Sequence, residues 1–477
     1  MYKGKAIKWL GLGLVSLAYT SCSVPALVQR AENKSVPAAF VTDHDTTNAA
    51  QVQWKKFFAD AYLTSLIDTA LQNNQELNIT LQEIEISRNE VKVRQGEYLP
   101  SVGLRAGAGV DKVARFTNIG ALEATTEIEP GKEMPEPLQD YGIGAYANWE
   151  VDVWHKLRNA KKAAVHRYLA SVEGRNFMVT NLISEIANSY YELLALDNQL
   201  AIIQQNIEIQ SNVLKTVKLQ KEAAKVTELP VRRFQAQVLH SQGLQYQVQQ
   251  KITETENRIN FLVGRFPQPV QRAKNGFDNV TPQAVQAGVP AQLLANRPDI
   301  RQAELELAAA KLDVQVARAN FYPSLGLTAG VGLQAFSPGY LLKPESLLFS
   351  LAGDVAAPLV NRNAIKAVYS SANAKQLQAV YQYERTILNA YIEVANQLSN
   401  ISNLENSYRL KSREVEALTQ SIDISNQLFA SARADYLEVL LTQREAQESR
   451  FELIETKVQQ LNAMVNIYRA LGGGWKE

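Results

Sequence analysis

One stretch of this chain occurs twice, and that fact constrains the fold more than any other. The segment Phe321-Tyr-Pro-Ser-Leu-Gly-Leu-Thr-Ala-Gly-Val-Gly-Leu333 has an earlier counterpart, Glu97-Tyr-Leu-Pro-Ser-Val-Gly-Leu-Arg-Ala-Gly-Ala-Gly-Val110. Setting Pro100 on Pro323, an offset of 223, also matches Ser101 with Ser324, Gly103 with Gly326 and Leu104 with Leu327. Upstream, the same offset pairs Glu76-Leu77 with Asp299-Ile300, Glu83 with Glu306, and Val91 and Val93 with Val314 and Val316. Agreement on both sides of the proline implies an internal duplication, so the fold is two copies of one unit.

Each copy is a helical pattern that stops at proline and turns into alternation. Leu325, Leu327, Ala329, Val331 and Leu333 share one face, with Ser324, Gly326, Thr328, Gly330 and Gly332 on the other. In the first copy Val102, Leu104, Ala106, Ala108 and Val110 oppose Ser101, Gly103, Arg105, Gly107 and Gly109. A period of two means a strand with one apolar and one small or polar face. Strands of about ten residues built this way are the signature of a transmembrane β-barrel. Taken alone, they fit an antiparallel sheet with one wet face equally well.

Composition excludes more than it specifies. At 477 residues there is room for two or three domains. A formal charge of +1 provides no basic field for nucleic acid. Residues 1–21 read as a signal peptide: Lys3, Lys5 and Lys8 form a basic region, and Trp9 to Ala18 an apolar run too short to span a bilayer. The single cysteine, Cys22, follows Tyr19-Thr-Ser21 and resembles a bacterial lipobox, in which the thiol takes a lipid chain. Tyr19 departs from the usual leucine, and small Ser21 fits. Residues 22–53 then read as a lipid anchor with an extended tether, free of periodicity.

From Trp54 to Gly96 two helical stretches are expected, the second ending before Pro100. A β-hairpin follows at about 100–154. Its return strand places Tyr141, Ile143, Ala145, Ala147, Trp149 and Val151 on one face, and Tyr141, Tyr146, Trp149 and Trp154 near its ends as an aromatic girdle. The second hairpin is expected at about 323–360. After each hairpin the chain turns helical. Val179, Ile186, Leu193, Leu200, Ile207 and Leu214 repeat every seven residues, with Leu182, Leu196, Ile203 and Val217 three residues after several of them. That is a coiled-coil seam with Ser189 and Gln210 as polar interruptions. Near the C-terminus Phe451, Ile454, Val458, Leu461, Val465 and Tyr468 continue the pattern.

Length then decides the architecture. His155 to Glu222 as one helix reaches roughly 100 Å, and the second helical run, taken straight, about 170 Å. The runs therefore fold back, at Ala224-Lys-Val-Thr-Glu228 and at Ala432-Arg-Ala-Asp-Tyr436, where the offset has become 208. The missing fifteen residues belong to the longer loop of the first hairpin. The expected layout is a first repeat at 54–265 with its helical hairpin at about 155–264, a connector at 266–292, and a second repeat at 293–477 with its helical hairpin at about 363–471. Four strands per chain cannot close a barrel, and an open edge is not tolerated in lipid. Three chains would pool twelve.

Several stretches resemble the outer-membrane factor, or TolC-like, family, in particular the NodT-type lipoprotein subgroup serving resistance-nodulation-division efflux pumps. They are Leu293-Leu-Ala-Asn-Arg-Pro-Asp-Ile300 with Ala303-Glu304, Phe321-Tyr-Pro-Ser324, Asp435-Tyr-Leu-Glu-Val-Leu440 and Ala470-Leu-Gly-Gly-Gly-Trp475. The resemblance implies an α+β membrane protein: a homotrimer whose twelve-stranded outer-membrane β-barrel, four strands per chain, continues into a long periplasmic α-helical coiled-coil barrel. It implies a passive exit duct for small molecules in the outer-membrane lipid. The duct would dock a periplasmic membrane-fusion adaptor coupled to an inner-membrane resistance-nodulation-division transporter. Two other readings stay open, a type I secretion conduit and a periplasmic coiled-coil scaffold.

No enzyme and no cofactor is implied. His44, His155, His166 and His240 are scattered without metal spacing, and His155 and His166, eleven apart, read as two exposed positions on one helix face. Gly326–Gly332 alternates as a strand rather than opening a helix as a phosphate loop does. The chemistry expected is a gate at the helix reversals, where side chains of three copies can converge on an axis. The candidates are Asp435, Arg433, Tyr436 and Glu228, with Asp435 alternatively a helix N-cap. Arg297, Pro298 and Asp299 read as structure: Pro298 fits a first helical turn and Asp299 the positive end of its dipole.

Overall fold

The computed structural model describes residues 24–40, 48–273, 277, 286–360, 362–431 and 433–476. The expected signal peptide, Cys22 and His44 lie outside the described residues. From residue 24 to residue 40 the described chain forms no helix.

The first repeat contains helices α1 (Trp54–Phe57), α2 (Ala61–Asn73) and α3 (Gln75–Tyr98), then strand β1 (Ser101–Asp111). A loop follows with helix α4 (Asn118–Glu123) and short strands β2 (Glu127–Glu129) and β3 (Lys132–Glu133), before β4 (Leu138–Val151). The helical hairpin is α5 (Lys156–Glu222) and α6 (Glu228–Val263). The second repeat has α7 (Ala291–Asn296), α8 (Pro298–Ala319), β5 (Ser324–Ala335), α9 (Pro338–Leu341) and β6 (Leu347–Ala356). It ends with α10 (Asn363–Ala430) and α11 (Tyr436–Ala470). Between β1 and β4 lie 26 residues, against 11 between β5 and β6, which accounts for the fifteen-residue change of offset.

Three helices, not two, occupy Trp54 to Gly96. The breaks are made by capping residues that an apolar periodicity runs straight through. Asp60 Oδ1 accepts from the backbone N–H of Tyr62 (2.7 Å) and Leu63 (3.2 Å), starting α2. Asn74 Oδ1 accepts from Leu77 N–H (2.8 Å), starting α3. His155 also departs from expectation. It sits before α5 with φ 60°, in the turn rather than on a helix face, and shares no face with His166.

The chain divides into two compact units. One comprises Met1–Ala31, Glu85–Leu169 and Leu305–Tyr381, the other Glu32–Ile84, Ala170–Glu304 and Gln382–Glu477. In the first, β1, β4, β5 and β6 form an antiparallel sheet in that order. Within that unit Val24 and Leu27 pack against Phe321 and Tyr369.

The second unit holds the main core. Leu63 and Ile67 of α2, Ile183, Ile186 and Leu193 of α5, Ile259 and Val263 of α6, and Leu461, Val465 and Tyr468 of α11 are buried together. The heptad positions Val179, Leu182, Leu196, Ile203 and Val217 are buried too, while Leu200, Ile207 and Leu214 are half-buried. Both polar interruptions are buried, and Ser241 Oγ on α6 donates to Gln210 Oε1 (2.9 Å).

The duplication reaches single bonds. Gly264 closes α6 at φ 76° and lies so near Asn73 that a Cβ there would stand 2.3 Å from its carbonyl oxygen. Gly472, 208 residues later, closes α11 at φ 88° and meets the carbonyl of Asn296, 223 residues after Asn73, in the same way. Only glycine combines a left-handed backbone with so close an approach.

Candidate functional site

Two regions merit attention, one in each unit. In the first, the sheet register aligns most of the large apolar residues on one face. Leu104 stands opposite Ala145, which pairs with Val331, which pairs with Phe349. Val102, Ala147, Ala329 and Leu351 make the next rung. This apolar face is bare: Leu104 is 85% exposed, Phe349 82% and Leu351 80%. Burial in water gives no reason for such a face, whereas lipid does.

The opposite face carries glycines and polar groups. Gly103, Arg105, Gly107, Asp140, Gly142, Gly144, Tyr146, Gly330, Gly332, Gln334 and Asp354 all point that way by register. A Cβ at Gly144 would stand 2.8 Å from the carbonyl oxygen of Val331, and one at Gly332 2.6 Å from that of Ile143. Backbone this tight marks the concave side of a curling sheet. Tyr146, expected near a strand end, instead sits mid-strand on this face with its ring against Gly103. Trp149 and Trp154 do stand where the strands meet the helices. Their indole N–H groups donate to the carbonyls of Tyr98 (3.1 Å) and Pro323 (2.7 Å), and Trp154 stacks on Tyr322. Among the described residues the edges β1 and β6 each pair on one side only.

The second region is the pair of helix reversals. Each closes with the same bond: Lys225 N–H donates to Gln220 O (2.8 Å) and Arg433 N–H to Leu428 O (2.8 Å). No glycine provides the turn in the first copy; Ala224 adopts the left-handed conformation itself, at φ 58°. Val217, Val231 and Phe234 are buried there, with Tyr436 and Leu440 packed against them. Tyr436 therefore serves as packing between the two reversals. Asp435 and Arg433 are exposed, and Asp435 occupies the N-cap position of α11 without a side-chain capping bond. Glu228 pairs with Lys221 and with Arg232 (2.8 Å), and the Lys221 hydrogen bond holds its carboxyl below the usual range.

Arg297 is buried, ion-paired to Asp299 (2.7 Å) and Glu393 (2.8 Å), and donates to Ala470 O (2.7 Å). Asn74, its counterpart at an offset of 223, donates to Leu262 O (2.8 Å), and Leu262 is the counterpart of Ala470 at 208. Pro298 and Asp299 stand in the first turn of α8. The motif thus joins the start of one helix to the end of another. Sequence reasoning missed Arg272 of the connector, which pairs with Asp197 and Glu256 and ties that segment to α5 and α6. No local pattern marks it, because both partners come from distant helices.

The family profile described as "Outer membrane efflux protein" matches residues 66–265 and 289–473. The chain belongs to this family. As an outer membrane efflux protein it is the outer-membrane channel component of an efflux system and no enzyme, with its helical extension in the periplasm. The chain is 29% identical over 425 residues to the pyoverdine export outer membrane protein OpmQ of Pseudomonas aeruginosa, covering 89% of this chain and 88% of that one. It is 26% identical over 471 residues to the probable outer membrane lipoprotein SilC of Salmonella typhimurium, covering 98% and 96%. The open state of the MtrE outer membrane channel of Neisseria gonorrhoeae superposes with a TM-score of 0.83 at 23% identity, over 95% of this chain and 98% of that one. That likeness shows the fold, four strands and long helices in two repeated halves. Of the readings left open by the sequence, efflux stands and the scaffold falls.

Proposed function

We propose that three copies of this chain pool their sheets into one twelve-stranded barrel and that the barrel is a passive exit duct for small molecules. The supporting observation is the sheet itself: two unpaired edges, a bare apolar face and a concave face of glycines and polar groups. Edges and apolar face together are unstable in water, and the edges are equally so in lipid. Pairing β1 of one copy with β6 of the next removes both edges at once.

The helix reversals are the proposed docking end for a periplasmic membrane-fusion adaptor coupled to an inner-membrane resistance-nodulation-division transporter, which supplies the energy. Asp435 is the proposed gate residue, exposed and unengaged as a cap, so three copies can form an acidic ring there. Arg433 flanks it. Glu228 already has two intrachain partners and holds the first reversal rather than the pore. Cys22 is the proposed lipid attachment point. The cargo follows from the transporter; OpmQ is described for pyoverdine export, and the channel architecture does not depend on that cargo.

The test is the mass of the detergent-solubilised protein by light scattering with the detergent contribution subtracted. Three chain masses are expected. A single-chain mass in a folded sample would overturn the pooled barrel.

A further inference from the structure

Among the described residues the sheet's concave face carries one basic residue, and it has no acidic partner there. On that face β1 presents Ser101, Gly103, Arg105, Gly107, Gly109 and Asp111. By register Arg105 shares its rung with Gly144, Gly332 and Leu348. Two of these have no side chain and the third is apolar. Arg105 makes no ion pair or side-chain hydrogen bond among the described residues, and it lines the open concavity of about 990 Å³ over the sheet.

The nearest acids on this face are already engaged or remote. Asp140 accepts two hydrogen bonds from Gln334 Nε2 (2.8 and 3.0 Å). It pairs with Gly109, four residues along β1 from Arg105, roughly 13 Å at the rise of a strand. Glu150, bonded to Lys156, and Asp354 lie about 20 Å the other way, six residues from the Arg105 rung. Both separations exceed the Debye length of about 8 Å at physiological ionic strength, so neither acidic level neutralises the guanidinium. An exposed charge with nothing to pair with, in a rung cleared of other polar side chains, is poised for a partner that passes through.

We infer that Arg105, in three copies, forms a cationic belt midway along the barrel lumen that favours solutes carrying a carboxylate over cations. The inference rests on the trimeric barrel proposed above. A guanidinium presents paired donors in the plane that a carboxylate accepts, which a diffuse positive potential does not. Asp140 and Asp111 toward the loop end, and Glu150 and Asp354 toward the helix end, leave the belt as the one positive level between two negative ones.

The test is the reversal potential of the purified trimer in a planar bilayer under a potassium chloride gradient, with the dilute side near about 10 mM, where the Debye length grows to about 30 Å and the belt reaches the axis. Wild type, Arg105→Gln and Arg105→Lys are compared. Arg105 is exposed and holds nothing in place, so these variants are expected to fold. Arg105→Gln is expected to shift the reversal potential toward that of potassium, a several-fold rise in the cation-to-anion permeability ratio. Arg105→Lys is expected to keep the wild-type value, and the difference is expected to vanish at molar salt. Potassium citrate added on the barrel side is expected to reduce the wild-type current and to spare Arg105→Gln. Trimers that conduct with one reversal potential in all three proteins overturn the belt alone. A wild-type protein of single-chain mass that does not conduct overturns the trimeric barrel, and the belt with it.

Discussion

At Asn74 and Arg297 the two repeats bind the same carbonyl position with different side chains, and the arginine adds two carboxylates to the bond. Removing it leaves Asp299 and Glu393 short of their counter-charge at a site where Arg297 is only 6% exposed. We predict that Arg297→Ala lowers stability by about 3 kcal/mol, as loss of one member of a buried ion pair does, seen as a lower midpoint in a far-ultraviolet dichroism melt. An unchanged midpoint would show that Glu393 is satisfied by Arg469 alone, which also reaches it at 2.7 Å. Asp60 poses a similar case: it caps α2 and accepts from the buried Tyr190 hydroxyl (2.8 Å). Asp60→Ala is expected to cost about 2 kcal/mol, and Tyr190→Phe less, since the latter orphans no buried donor. The depressed carboxyl of Glu228 sets a pH window by its sign. Its contribution is complete above the ordinary glutamate value and is lost only as pH falls through the lower folded one. A Lys221–Glu228 contact scored by the wild-type minus Glu228→Gln difference in proteolysis at the reversal should therefore persist at about pH 5 and fade below about pH 4. Loss of that difference already at pH 6 would contradict it. The local part of the Arg-Pro-Asp-Ile motif was legible, because first-turn proline and aspartate carry their reasons with them. Its partners Glu393 and Ala470 were not, because only the fold brings them near.

Among the elements, heptad spacing located α5 and the end of α11, since a seven-residue apolar repeat admits little else. What spacing could not show is how the buried polar positions are satisfied. Gln210 interrupts the seam of α5, and its partner Ser241 lies on the returning helix. A buried pair of this kind fixes register, because any slide leaves both groups unpaired. Ser241→Ala alone is expected to cost about 1–2 kcal/mol, and the double variant Gln210→Leu/Ser241→Ala to recover most of that in the same melt. A double variant as unstable as the single one would place the cost in packing. The presence of three helices rather than two between Trp54 and Gly96 was also within reach, since Asp60 and Asn74 are good caps, but the apolar period hid both.

For the whole molecule, the change of offset from 223 to 208 foretold the longer loop of the first hairpin. Strand faces were likewise legible as alternation. The concavity of the glycine face was not, because it depends on how closely Gly144 and Gly332 approach their neighbours' backbones. No described helix is long and apolar enough to cross a membrane. The proposed conduit consists of three chains and is narrowest at Asp435. Single-channel recording of the purified protein in a planar bilayer, wild type beside Asp435→Ala, is the test. Wild type is expected to give small, discrete steps whose cation bias is set at the Asp435 ring, and the variant larger steps with less bias. Discrete steps of the same size and bias in both proteins would contradict the gate, and a folded trimer without discrete conductance in either would contradict the conduit.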